Sequence, residues 1–363
     1  MRFVSSALKN IVFPALSRSG YLRHSAGSSP AVVTYHGVFP SGYQIRNTAL
    51  DGNLIRADSL RQQLRFLQKH YNVISPQDFL RWSEREIQLP PRSILLTCDD
   101  ALRNTLTEML PVLQELNLSC LFFATGGSAA DVPSMLWYEE LYLMLLEAAE
   151  PLALRLPEAG ITIDSIPKNE RHSRWWSLVE TLSPLDWDSR RGLLGQIRQQ
   201  LKLSENWRGR FIEDPSLAAR FLVLDRAGLR RMAAAGMSIG AHTLSHPILA
   251  RMSEDLAQHE ISESRTVIEE ALGQTIWAFA YPFGDSATVT KRDLRLAEEA
   301  GFRCAFMNVG GGFGSRIERF AIPRVHVTAD MKLAEFEAHI SGFYQSLRKR
   351  FLGGDDSEIP LGV

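Results

Sequence analysis

No aspartate or glutamate occurs before Asp51, although Arg2, Lys9, Arg18 and Arg23 fall in the first 25 residues. Cysteine is almost as scarce. Cys98, Cys120 and Cys304 are odd in number and far apart, which argues against a disulfide framework and a cysteine-based zinc site and fits a reducing compartment. Net charge is −1, so no overall field steers the chain to nucleic acid, and no nucleic-acid partner is expected. No apolar run reaches the length of a membrane-spanning helix. No glycine-rich phosphate fingerprint follows an early strand, which removes support for a nucleotide-binding Rossmann fold.

The basic N-terminus still carries a pattern. Phe3, Val4, Ala7, Leu8, Ile11, Val12 and Ala15 recur at helical spacing, with Pro14 as an expected kink. Without a continuous apolar stretch and a cleavage site, it does not read as a signal peptide. The first expectation for residues 1–27 is an amphipathic helix docked on the domain's own surface. The second is peripheral contact of residues 1–25 with an anionic membrane. The expected compartment is the cytoplasm, at the inner membrane face if that contact forms; the periplasm also remains compatible.

The rest of the chain is 45% hydrophobic overall and 22% charged, an ordinary globular balance. "AVVTYHGV" (31–38), "YNVIS" (71–75), "RSILLTCDD" (92–100) and "CLFFAT" (120–125) read as strands. Between them lie a helix capped by Asp58 or Ser59, a short helix opened by Pro76, and a helix from Asn104 to Leu116. This alternation predicts parallel α/β architecture. It breaks over about 131–220, where the pattern is helical, and resumes with "MSIGAHT" (237–243), a helix over Ser253 to Leu272, "IWAFAYPFG", "CAFMNVG" and "FAIPRVHV". Seven or eight parallel strands around one core predict a barrel over 28–345 with a helical insertion. The "VGGGFGS" run (309–315) reads as a flexible loop, and the polar 346–363 as a disordered tail.

In such folds chemistry collects at the carboxyl ends of the strands. His36 stands there, as do Asp99 and Asp100, and His242 and His246 of "HTLSH". Two imidazoles four residues apart can face one ion, and a carboxylate from another strand end completes a site with open positions, suited to zinc or another divalent metal. Of the two aspartates, one can ligate while the other takes a proton from metal-bound water. A helix cap would explain one of them and not both. The residues thus point to metal-assisted hydrolysis without naming a substrate.

The motifs are also familiar. "TCDDA", "HTLSH" and "FAYPFG" resemble the motifs of the polysaccharide deacetylase family, the NodB-homology or carbohydrate esterase family 4 domain, and "TYHGV" resembles the N-terminal Y-H strand of some members. The resemblance implies a distorted (β/α)7 barrel, a zinc-type metal, a carbohydrate substrate and removal of acetyl groups, usually N-acetyl on an amino sugar of a bacterial poly- or oligosaccharide. It implies Asp99 as general base, Asp100, His242 and His246 as metal ligands, His36 as general acid, and Tyr281, Pro282, Phe283 and Gly284 as the shapers of a sugar groove. Arg324 would hold the base. O-acetyl ester or other C–N amide hydrolysis on the same fold is one alternative, and an inactive carbohydrate-binding barrel is another. The departures are Ala101 where the family has glycine, Cys98 where it has an aromatic residue, and a third motif without the Arg that holds the base in many members; His326, two residues from Arg324, reads first as a half-buried strand histidine and second as a rival acid. Trp137 and Tyr138 are read as core or as sugar-stacking rings.

Overall fold

The computed structural model describes residues 6–24, 29–149, 152–310 and 318–352. Strands β1 (Ala31–Tyr35), β2 (Asn72–Val73), β3 (Ser93–Cys98), β4 (Leu121–Ala124), β7 (Ser238–Ala241), β8 (Ala278–Ala280), β9 (Cys304–Phe306) and β10 (Val325–His326) form one parallel sheet. Its order is β10-β1-β3-β4-β7-β8-β9, with β2 paired to the start of β3. The remaining strands, β5 (Leu154–Leu156) and β6 (Ile161–Ile163), make an antiparallel hairpin inside the insertion.

The sheet curls until its two edges approach. Phe306 and Ile322 form a parallel bridge, and Met307 N–H donates to Ile322 O at 2.8 Å, just before the chain enters β10. The result is the distorted (β/α)7 barrel that the motifs imply. All six residues of β3 are buried, as expected of a parallel strand covered on both faces. Successive strand side chains separate into two clusters. Val32, Leu95, Phe123, Ala280 and Phe306 meet one another and Phe79 of the short helix Pro76–Ser83. Val33, Leu96, Phe122 and Phe279 pack with Leu60, Leu64, Met232, Ile261 and Leu296 of the surrounding helices. The three cysteines are buried free thiols.

Several expected boundaries shift. The first long helix is Ala57–His70, so neither Asp58 nor Ser59 caps it; Asp58 lies in its first turn, beside the positive end of the helix dipole. The expected helix from Asn104 begins as a π-turn, Thr105–Met109, before the α-helix Leu110–Glu115. The strand at 71–75 contracts to two residues.

The insertion has its own apolar core, in which Trp137, Leu141, Leu178, Leu194 and Phe211 are buried. Its ends meet beside β3. Val223 N–H donates to Ser134 O, Leu224 N–H to Ala101 O at 2.8 Å, and Arg103 N–H to Leu222 O at 2.8 Å. The insertion is therefore hydrogen-bonded to the turn that carries the two aspartates.

Residues 6–24 are largely helical and lie on the helix Leu333–Ile340. Phe13 and Leu22 are buried against Ala338, while Lys9 pairs with Glu335 and Arg23 with Glu337. Among the described residues no helix is long and apolar enough to cross a membrane. Residues 1–5, most of the 309–315 run and 353–363 of the expected tail lie outside the described residues.

Candidate active site

β3 delivers Asp99 and Asp100 to the carboxyl end of the barrel, where the backbone turns sharply. Asp100 has φ +69° and Ala101 φ +47°. Two successive left-handed residues break the extended alternation and send the adjacent carboxylates to different partners. Neither caps the helix that follows, whose first turn carries no side-chain cap. Ala101 thus occupies the kind of position where glycine costs nothing and alanine costs about 1 kcal/mol.

Asp99 faces Arg324. Both guanidinium Nη atoms donate to its two oxygens at 2.6 Å, while Arg324 Nε donates to Met307 O at 2.9 Å. Arg324 is fully buried and Asp99 nearly so. Burial pushes the Asp99 carboxyl up, but Arg324, His242 and His36 outweigh it and hold the group below the usual carboxylate range. His36, at the end of β1, places Nε2 3.8 Å from Asp99 Oδ2.

Asp100 faces the histidines. Its Oδ1 is buried without a hydrogen bond, 3.3 Å from His246 Nε2 and 3.6 Å from His242 Nε2. One ligand atom from each of the three residues lies within 4.8 Å of the others. Around an ion with ligand bonds of about 2.0–2.2 Å, tetrahedral neighbours stand about 3.3–3.6 Å apart, which matches these separations. The donor set therefore fits a divalent cation. His242 Nδ1 lies 2.7 Å from Ala280 O, a contact that needs the proton on Nδ1 and leaves Nε2 free to ligate. Burial pushes the His242 pKa down to about 4, despite Asp99, so the ring is neutral as a ligand must be.

The His loop is itself braced. Thr243 and His246 have φ +62° and +59°, and His246 N–H donates to Thr243 Oγ1 at 2.9 Å. From the insertion, Trp137 Nε1 donates to His246 O at 2.9 Å, and fully buried Arg190 donates to Ser245 Oγ at 2.8 Å. Ser245 N–H in turn donates to the Glu260 carboxylate at 2.8 Å.

A cleft of about 260 Å³ opens over both aspartates. His36, Asp99, Asp100, His242, His246 and Phe283 line it together with insertion residues. Arg324 reaches the centre from beneath through Asp99, and the His326 ring lies tilted against His36 at 4.7 Å between ring centroids. The expectation for the "YPFG" turn needs correction. Tyr281 is fully buried in the barrel core and donates its hydroxyl to Phe320 O at 2.9 Å, so it does not line the cleft. Pro282 is also buried, and Gly284, at φ +69°, accepts from Asn308 N–H at 2.7 Å. These two residues shape the turn that presents Phe283.

Trp137 and Tyr138 divide the two roles expected of them. Trp137 is core, whereas Tyr138 lines the cleft with its ring 4.9 Å from His246. Glu139, Trp175, Trp176, Asp285 and Asn308 also line it, and the sequence reading did not single them out. The cluster "WYEE" was the one local signal for Glu139; nothing at helical spacing separates a cleft tryptophan from a core one.

The chain matches the family model described as polysaccharide deacetylase over residues 86–305. It is 26% identical over 112 residues to a putative polysaccharide deacetylase, YxkH, of Bacillus subtilis, a stretch spanning 31% of this chain and 39% of that relative. Among solved structures, the deacetylase PplD of Streptococcus pyogenes, in complex with acetate, superposes with TM-score 0.54 at 15% identity, covering 86% of this chain and 98% of that one. IcaB from Ammonifex degensii gives TM-score 0.53 at 18% identity, covering 87% and 98%. The family model ends before Arg324 and begins after His36, so the match does not cover those two residues, which the geometry brings to the site. It contains β3, β4, β7 and β8 with both aspartates and both histidines, and it spans more than half of the sequence: the chain belongs to the polysaccharide deacetylase family.

Proposed function

We propose that this chain is a metal-dependent hydrolase that removes the N-acetyl group of an amino sugar in a poly- or oligosaccharide or a glycan precursor. The observation that carries the reading is the pairing of an Arg324-clamped Asp99 with a neighbouring Asp100–His242–His246 triad. One carboxylate is fixed as an anion, and the other shares a gap of ligand dimensions with two imidazoles.

Asp100, His242 and His246 would hold the cation, which when bound lowers the pKa of water and polarises the acetyl carbonyl. Zinc suits a nitrogen and oxygen donor set of this size. Asp99 accepts the proton as the water oxygen bonds to the carbonyl carbon. The developing oxyanion would also be met by a backbone N–H near Ala101. His36 gives a proton to the amide nitrogen as the C–N bond breaks, so the products are acetate and a free amino sugar. Between the two histidines, position supports His36: it lines the cleft, whereas burial and the neighbouring His36 push the His326 pKa down to about 3 and leave it without a proton to give.

The test is acetate release from a panel of N-acetylated oligosaccharides, with Asp99→Asn as control. Release by the parent and its loss in the variant are expected. No release by the zinc-loaded parent would sink the hydrolase reading, and equal release by both would sink the assigned base.

A further inference from the structure

The cleft has two unlike kinds of lining. The insertion and the 281–284 turn bring aromatic rings together. Tyr138 lies 5.5 Å from Phe283, and Trp176 meets Phe283 edge to face at 5.5 Å and 85°. Tyr138, Trp176 and Phe283 are only half-buried, so their apolar surface is open to a ligand. The framework behind them is fixed: Trp175 Nε1 donates to Tyr138 O at 2.7 Å.

The polar lining is equally fixed. Arg220, fully buried, donates to both oxygens of Glu139 at 2.8 and 3.2 Å, and to Asp51 at 2.8 Å. Asn308 Oδ1 is buried without a hydrogen-bond partner. A pyranose pairs the same two kinds of surface, with axial C–H groups on one face and hydroxyls around the rim, and aromatic faces paired with a few placed polar groups are how such ligands are gripped.

The size of the site limits how much glycan it can hold. At about 260 Å³ it lies below the roughly 300–1,000 Å³ usual for pockets that enclose drug-sized ligands. Leu50 and Leu54, the insertion, and the turn after β8 each contribute lining, so the lining comes from separate stretches of chain around the aspartates. A cavity of this size suits a single ring, whereas the middle of a polymer needs a longer trough.

We propose that the site recognises a single N-acetylated amino sugar at a chain end or in a short glycan, with Trp176 as its stacking platform. This rests on the deacetylase reading for the chemistry but not for the binding. The insertion sets this specificity by walling one side of the cleft.

The test is a tryptophan-fluorescence titration of His36→Ala, chosen for slow turnover, with N-acetylglucosamine and its β-1,4- and β-1,6-linked trimers and pentamers. For the better-bound linkage, the expected dissociation constants agree within about threefold from monomer to pentamer. Adding Trp176→Ala is expected to weaken all of them about tenfold or more, about 1.4 kcal/mol. Affinity that rises tenfold or more with length, an unchanged affinity in the Trp176→Ala protein, or no binding of any saccharide would each overturn the proposal. Acetate release by the parent is scored separately. Length-independent binding without acetate release rejects the deacetylase reading and leaves the one-sugar site standing; acetate release with length-dependent affinity rejects the one-sugar site alone.

Discussion

Arg324 grips both oxygens of Asp99 at 2.6 Å from beneath the cleft, and 225 residues of chain separate the two. The pair keeps the Asp99 carboxylate ionised and fixes its direction at the cleft. Because the native carboxyl is held below its ordinary value, the pair adds stability above the unfolded carboxylate value of about 3.9. That stability is lost as pH falls through the lower native value. Arg324→Gln removes the anchor. The expected outcomes are a loss of roughly 3–5 kcal/mol in a denaturant melt, because a buried charge loses its partner, and an acid limb of kcat/KM that moves to higher pH. An unmoved acid limb would show that Arg324 does not set the ionisation of the base.

The two histidines at the β1 and β10 ends separate on pH. His36→Ala is expected to lower kcat/KM by about 10²–10⁴-fold, the usual contribution of a general acid, and to abolish the alkaline limb. His326→Ala removes a neutral ring behind it and is expected to keep that limb. The reverse result transfers the acid role to His326.

Metal dependence can be read without turnover. If Asp100, His242 and His246 hold the ion, zinc stabilises the folded chain by mass action, about 2.7 kcal/mol at a hundredfold excess over Kd. A chelated sample should melt lower, recover on adding zinc, and lose acetate release in between. Asp100→Asn should melt at a temperature indifferent to zinc. An equal zinc response in that variant would place the ion elsewhere.

Residues 6–24 cover an apolar patch of the barrel's last helices, with Phe13 and Leu22 buried there. Each such side chain is worth about 1.5–3 kcal/mol. Deleting residues 1–25 should therefore lower the melting temperature and leave flotation with anionic liposomes unchanged. Lost flotation with an unaltered melt would favour the membrane reading instead.

The parts of the site carried by contiguous motifs were legible in the sequence, because each motif sits where a parallel strand ends and the strands themselves read as apolar runs. "TCDD" and "HTLSH" placed four polar residues at two strand ends, and the barrel brought them within reach of one another. Arg324 was legible only through the resemblance, since nothing local in "IPRVHV" marks a guanidinium aimed across the barrel. Tyr281 was misread for a related reason. Strand alternation gives one residue of "AYPF" to the core and another to the cleft, but the turn at Phe283, with φ +60°, decides which one is presented. The insertion's contribution was not legible at all. Tyr138 directly follows the core ring of Trp137, and only tertiary packing separates the ring that faces the cleft from its neighbour that does not.

Ala101 is where the departure from the family pattern can be measured. Its φ of +47° implies about 1 kcal/mol of strain that glycine would relieve. Glycine would also forfeit a buried methyl, about 0.8 kcal/mol, and add roughly 0.5–1 kcal/mol of unfolded-chain entropy. The effects nearly cancel, so Ala101→Gly should change stability by no more than about 1 kcal/mol in a denaturant melt. The turn is also held from outside, by Leu224 N–H on Ala101 O at 2.8 Å and Arg103 N–H on Leu222 O at 2.8 Å. With that clamp in place the carboxylates should not move, and acetate release should stay within about threefold of the parent, under 1 kcal/mol in the barrier. A gain of tenfold or more would mean that alanine displaces Asp99 or Asp100 from the productive geometry and that the glycine of the family pattern is a catalytic requirement.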